Sequence, residues 1–364
     1  MAQWNEANGA KKVEVMVLAE RTEPRDTFLL ERGVWDKHGE KVARGGLPSI
    51  APLTLENPTR ADLAKWLTSA DNPLTARVFV NHLWQLCFGT GLVKTTEDFG
   101  LQGERPSHPE LLDWLAVECI ESGWNVKHLL KLMVMSSTYR QSSRVDEVTL
   151  GRDPENRLLS RGVRFRLPAW MLRDAALHSS GLFHPVLGGP PVRPYQPTGV
   201  WEENFMGRFT YIPSEGPAQY RRTLYAFWRR SIAPTFLFDS AQRRSCEVRT
   251  PRTNTPLQAL TLLNDENYLE ASRALAALVM EKPEPIQEMC LRVLSRQPSD
   301  AELAILSREY FRALEHYRQH PNDAETFLAR GQFATDQPLP VAEFAAHTII
   351  ASMLFNLDEA LTHE

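Results

Sequence analysis

Arg77, Asn81 and Gln85 recur at four-residue intervals within the apolar stretch "NPLTARVFVNHLWQLCFGTG". On a helix that spacing stacks all three on one face, one turn apart. Val78, Phe79, Val80, Leu83, Trp84 and Leu86 surround them, so the helix is expected to be buried. Polar groups in such a place need partners or must line a cleft. Asp98 follows in "KTTEDFG", and Glu104, Arg105, His108, Glu110 and Asp113 in "GERPSHPELLDW". Brought together, carboxylate, imidazole and guanidinium groups could carry general acid–base catalysis or clamp an anion. Arg77, Asn81, Asp98, Glu104 and His108 are therefore the candidate catalytic set. The alternative is a buried polar network that holds helices and turns in register. There Asp98 would cap backbone donors, and Glu110 would be taken up by a capping box with Ser107. On either reading the stripe is expected to face the turn around Asp98 and the start of the 107–122 helix. Arg77 would then meet a carboxylate, Asp98 or Glu104 being nearest in sequence.

A second constellation is the run "QYRRTLYAFWRRSIAPTFLFDSAQRRSCEVRTPRTN", which holds eight arginines, no lysine and two acids. Arginine suits planar, bidentate binding of carboxylate, sulfate or phosphate. Arg221, Arg222, Arg249 and Arg252 are candidate anion-binding residues, and Tyr220, Tyr225, Phe227 and Trp228 could stack on sugars or bases. The alternative is an amphipathic helix followed by surface arginines paired with acids elsewhere. The net charge of −4 argues against nucleic acid as the partner.

Other chemistry has little support. No G-x-S-x-G elbow, phosphate-binding P-loop or H-E-x-x-H zinc helix occurs. His316 and His320 have the spacing of two metal ligands, but no acidic ligand pattern accompanies them, so no metal site is expected. Without C-x-x-C or C-x-x-C-H, neither a zinc ribbon nor an attached haem has local support. Cys87, Cys119 and Cys290 lie among apolar helical neighbours and read as core residues.

The elements that must position these residues read as helices. With 43% hydrophobic and 24% charged residues, the 364-residue chain has the makings of a core. No apolar run reaches the roughly 18 residues of a membrane span. The first fifteen residues lack the apolar core of a secretory signal. Period-two valines in "KKVEVMV" predict a strand that pairs with "DTFLLERG" across the turn at Pro24. Helix starts are marked by Thr59, by Asn72 before Pro73, by Ser107 and by Asn125. Gly89 or Gly91, Gly123 and Gly181 mark stops. Residues 182–219 are rich in proline and glycine and read as a functional loop or covering. Helices are expected to resume with "AQYRRTLYAFWRRS", and a long one to run from Thr255 through "LQALTLLNDENYLEASRALAALVM". Ser299 and Glu302 open another with capping-box spacing. The expected fold is mainly α, a multi-helix orthogonal bundle with a short N-terminal β arm. Its expected divisions are an extended arm over 1–50, helical parts over 51–181 and 220–364, and the Pro/Gly-rich loop over 182–219.

From "NPLTARVFVNHLWQLCFGTG" through "STYRQSS", the chain closely resembles the opening signature of a planctomycete-specific domain of unknown function. "LRDAALHSSG", "GGPPVRP", "RRTLYAFWRRS" and "CEVRTPRTNTPLQALTLLND" resemble its later segments, and "EPRDTFLLERGVWDKHGEKVARGGLP" its usual lead-in. The resemblance spans roughly residues 13–360. It departs at His82, where the family pattern normally has arginine. It implies the C-terminal part of large, typically exported proteins that also carry a cytochrome-c-like domain and a further domain. Haem is then expected on that upstream domain, with no cofactor on this chain, and the upstream domain or a haem-bearing protein as partner. The setting of such proteins suggests a part in polysaccharide breakdown. The leading expectation is a helical accessory or interaction domain. The other is a catalytic domain acting on polysaccharide or another anionic polymer through the 77–113 cluster.

Overall fold

The computed structural model describes residues 15–363, apart from 54, 56, 57, 205, 230, 231, 242–247, 249–251, 336 and 337. These residues are mainly helical, with two short two-stranded sheets. They divide into two compact units, one of residues up to Leu83 with His108–Leu130, the other of Trp84–Ser107 with residues from Lys131 on.

In the first unit the arm is a hairpin. β1 (Thr27–Leu30) pairs antiparallel with β2 (His38–Val42), and Phe28 stacks on His38 with ring centroids 4.6 Å apart. The partner is therefore downstream, not "KKVEVMV": Val15 and Val17 lie outside any strand, and Val13 is outside the described residues. The reason is a reversal directly after β1, where Arg32 and Gly33 both take left-handed φ (52° and 72°) and turn the chain toward its next segment. Glu20 ties the arm to α1 (Arg60–Leu67), accepting from the Arg60 amide at 3.1 Å and its guanidinium at 2.8 Å. Thr59 and Asp62 form the expected capping box on α1.

Helix α2 (Thr75–Phe88) starts where Asn72 Oδ1 accepts from the amides of Leu74 and Thr75. It stops at Gly89 (φ +78°), where a Cβ would stand 2.7 Å from the Phe165 ring. The start of α3 (Pro109–Glu121) departs from expectation. Its N-cap is His108, and no Ser107–Glu110 capping box forms. Ser107 is drawn away because its amide donates to the Leu92 carbonyl at 2.9 Å. Asn125 Oδ1 caps α4 (Val126–Met135) through the His128 amide.

The second unit continues through α5 (Glu147–Arg152), α6 (Ala169–Ser179) and the short α7 (Val200–Asn204). There follow α8 (Pro256–Asn264), α9 (Glu266–Val279), α10 (Pro285–Leu294), α11 (Asp300–Gln319) and α12 (Pro321–Leu328). Its core is built on α13 (Val341–Phe355), which is apolar on nearly every side and is wrapped chiefly by α9 and α11. Phe344, Ile350 and Leu354 of α13 share one cluster with Leu275, Met289 and Leu306. Each such buried side chain contributes on the order of 1.5–3 kcal/mol. After α14 (Asp358–Leu361), β4 (Thr362–His363) pairs with β3 (Phe165–Arg166).

Two predicted helices come out differently. The run from Thr255 is two helices, because Asp265 is extended (φ −69°, ψ 135°) and uses its side chain to cap α9 through the Asn267 amide. The described part of "AQYRRTLYAFWRRS", residues 218–229, forms 3₁₀ turns at Gly216–Tyr220 and Thr223–Tyr225 with extended chain around them, not an α-helix. Its backbone donors are claimed from outside: the Thr223 amide by Asp174 at 2.8 Å, and the Phe227 amide by the Val192 carbonyl at 2.7 Å. Tertiary acceptors have replaced the i−4 carbonyls. No helix among the described residues is long and apolar enough to cross a membrane.

Candidate functional site

Arg77 does meet a carboxylate on the expected helix, Asp113 of α3, rather than Asp98 or Glu104, the nearest in sequence. The Nε donates to Asp113 Oδ1 at 2.7 Å, while Nη1 donates to the Pro73 carbonyl one turn back at 2.5 Å. Nor is the pair buried: the two side chains are 32% and 54% exposed. The Arg77 hydrogen bond holds the Asp113 carboxyl below the ordinary aspartate range, against a small opposing effect of burial. Asn81, by contrast, is wholly buried and engaged.

Asp98 and Glu104 belong to the second unit and wind the 95–104 turn. Asp98 Oδ1 accepts from the Gly100 amide at 2.7 Å, and Thr95 Oγ1 donates to the Asp98 carbonyl while accepting from the Glu104 amide. That turn is so tight that a Cβ at Gly103 would stand 2.1 Å from the Asp98 carbonyl oxygen. The Glu104 side chain is exposed, and His108 is half-buried at the head of α3. His82, at the position where the resembled family has arginine, buries an Nε2 that has no hydrogen-bond partner among the described residues.

The four candidate arginines separate. Arg221 is buried and serves the Pro/Gly-rich loop, donating to the carbonyls of Pro190 (2.9 Å), Val186 (3.2 Å) and Gly188 while lying over the Tyr225 ring. Arg222 is exposed against Phe183. Arg252 lies over Phe165 at 4.2 Å and donates to the Gly89 carbonyl at 3.4 Å. Arg249 lies outside the described residues.

The densest polar centres are ones the sequence reading did not single out. Arg173, 1% exposed, donates to the Gln219 and Arg221 carbonyls, Thr223 Oγ1 and Asn267 Oδ1 at 2.8–3.2 Å. It holds the arginine-rich segment against α6 and α9. Glu270, 2% exposed, gathers four donors on Oε1: the Tyr195 and Tyr220 hydroxyls at 3.1 and 3.2 Å, and the Gln332 and Phe333 amides at 2.5 and 2.6 Å. Burial first, and the neighbouring carboxylate second, push both phenols well above the ordinary tyrosine range. Arg273, one turn along α9, donates to the carbonyls of Leu328 and Phe333. Glu270 and Arg273 together latch the 328–333 loop. Gly331 (φ +74°) completes the latch, since a Cβ there would stand 2.6 Å from Glu270 Oε1. An i, i+3 acid–base pair on an otherwise apolar helix was the available signal for this centre.

Beside that loop lies an open groove of about 410 Å³, lined mainly by Leu182, Ala274, Ala277, Leu278, Phe333 and Leu339. Ser180, Glu281 and Thr335 add polar groups to its lining. His316 and His320 stack at 4.7 Å, with His316 Nε2 3.8 Å from Asp323. No group of three or more His, Cys, Asp or Glu able to hold a metal occurs among the described residues. Cys87, Cys119 and Cys290 are free and buried, and burial pushes the Cys290 thiol up to about 11.

Compared with known proteins, residues 59–310, well over half of the chain, match the family described as PSD1, protein of unknown function (DUF1553). No curated protein and no solved structure matches the chain.

Proposed function

Given that the chain belongs to the PSD1 family of proteins of unknown function, we propose that it is a helical accessory or interaction domain of an exported, haem-linked, multi-domain system serving polysaccharide breakdown. The observation that carries this reading is the arm. Met16, Leu18 and Trp35 are 104%, 84% and 81% exposed, and Val15, Val17 and Leu29 are exposed beside them. A two-stranded hairpin is marginal in water by itself, and among the described residues no further strand pairs with either edge of this one. A bare tryptophan on such an arm is a natural anchor. The partner is a companion upstream domain or a haem-bearing protein, and any haem belongs to that partner. The alternative is catalysis on polysaccharide or another anionic polymer through the 77–113 cluster. Against it weighs the occupation of Arg77 in a contact between α2 and α3 and of Asp98 in the 95–104 turn, and the full burial of Asn81.

The test mixes the chain with a haem-bearing domain from a longer relative. Association is expected, and Trp35→Asp should weaken it at least tenfold, about 1.4 kcal/mol. A second arm incubates the chain alone with neutral and sulfated polysaccharides. Product release that Arg77→Gln or His108→Gln abolishes, without haem-domain association, would overturn the reading in favour of catalysis.

A further inference from the structure

The groove beside the 328–333 loop offers apolar contact on three sides. Ala274, Ala277 and Leu278 line it from one face of α9, and Glu281 follows just past the end of that helix. The two alanines are short enough to leave a hollow, and Leu278 is 42% exposed. One wall is the end of α6, where Gly181 (φ +78°) turns the chain from Ser180 into Leu182; the other holds Phe333 and Leu339. The second wall is fixed from within, because the Phe333 amide donates to Glu270 Oε1 at 2.6 Å and its carbonyl accepts from Arg273 Nη2 at 2.5 Å. A preformed wall spares a ligand part of the ordering cost of binding.

The groove is negative as well as apolar. Glu281 is exposed, and among the described residues its carboxylate makes no hydrogen bond or ion pair, not even with the adjacent Lys282. The end of α6, an eleven-residue helix, adds the partial negative charge of a helix C-terminus. His178 in that last turn leans on Phe183, with centroids 6.1 Å apart, and does not line the groove. Among the described residues no lysine, arginine or histidine lines it. Arg273 lies 5.6 Å from the Phe333 centroid, but it is buried and Glu270 offsets its charge. At about 410 Å³ the groove has the volume of a small-molecule site, yet such sites enclose about 70–90% of their ligand and this one is open. A polypeptide segment brings its own bulk to cover the open side.

We infer that this groove docks a segment of a partner protein that presents a bulky apolar side chain with a lysine or arginine about one helical turn away. The apolar side chain fills the hollow over Ala274 and Ala277, and the cation reaches Glu281. An acidic segment is turned away by the same carboxylate and by the end of α6. The groove belongs to the second unit and the arm to the first. The inference therefore rests neither on the arm nor on a haem-bearing companion, and either can fail alone.

The experiment follows the fluorescence anisotropy of labelled synthetic peptides titrated with the full chain. One peptide is helical, with leucines on one face and lysines one turn away; a second has glutamate for each lysine, and a third serine for each leucine. Only the leucine–lysine peptide is expected to bind, with affinity falling as salt rises. Glu281→Lys alters an exposed side chain beyond the end of α9, and should weaken binding at least about fivefold at an unchanged melting temperature. Ala277→Phe fills the hollow and should weaken it further. Trp35→Asp should leave the affinity as it is, since a loss there would place the peptide on the arm and overturn the inference. Absence of binding, equal binding of the glutamate or serine peptide, or full affinity in the Glu281→Lys variant likewise overturns it. Binding of phenethylamine that Glu281→Lys abolishes, without binding of any peptide, overturns the polypeptide assignment in favour of a free amine.

Discussion

Arg77 shows how much depends on where one side chain ends. A buried ion pair broken from one side costs about 3–5 kcal/mol. The Arg77–Asp113 pair is half-exposed, and such pairs contribute about 1 kcal/mol or less. Arg77→Met should therefore lower the melting temperature by only a few degrees at pH 7. The Asp113 carboxyl is held below its unfolded value, so its contribution is present above the ordinary aspartate range and lost as pH falls through and below that range. The gap between wild type and variant in thermal melts should accordingly close in acid, and a gap that widens there would contradict the pairing. Glu270 is the opposite case. Glu270→Ala strands two backbone amides and two phenols around a buried carboxylate site, and should cost about 3 kcal/mol in denaturant unfolding. Gly331→Ala should be destabilising as well, because its left-handed backbone and the nearby Oε1 leave no room for a methyl group. The need of Arg77 for a carboxylate was legible in its apolar surroundings. The identity of Asp113 was not, because sequence distance ranks Asp98 first while the folded packing sets the actual reach.

At the level of elements, caps proved the most legible feature. Thr59–Asp62, Thr255–Gln258 and Ser299–Glu302 all form capping boxes, each motif being closed within four residues of chain. The last is reinforced by Arg296, which forks onto Glu302 at 2.7 and 2.9 Å and onto Glu359 at 2.6 and 2.7 Å. Arg296 first, and Ser299 second, hold the Glu302 carboxyl down to about 2. Its stabilising effect is thus present at neutral pH and lost as pH falls from the ordinary glutamate range toward about 2. Arg296→Gln should lower the melting temperature at pH 7 and make little difference near that acid limit. Asp265→Ala removes the cap that separates α8 from α9 and should cost about 1 kcal/mol in denaturant unfolding. Ser107–Glu110 has the same spacing and forms no box, because Leu92, fifteen residues upstream, takes the Ser107 amide. The 219–228 run failed as a helix for a related reason. Its Asp174 and Val192 acceptors lie far off in sequence and leave no periodic trace in the segment itself.

For the whole molecule, the arm is where structure and proposed role meet. Backbone amides of Thr27–Val42 should exchange rapidly in the chain alone, since no further strand among the described residues pairs with the hairpin and its faces are exposed, and should become protected when a haem-bearing companion is added. Strong protection without any companion would remove the basis for an interface there. Sequence by itself determined the helical class, the capped starts of α1, α2, α4 and α11, the glycine stop of α2, and the buried cysteines. All of these rest on local periodicity or on bonds closed within a few residues. Tertiary structure alone decided the strand partner of β1, the break at Asp265, and the carboxylate that meets Arg77. It also brought Glu270 to Gly331 and set Phe333 beside α9 as one wall of a groove. In each of these cases the competing acceptor or packing partner is remote in sequence, and such contacts are selected by distance in space, which local spacing does not encode.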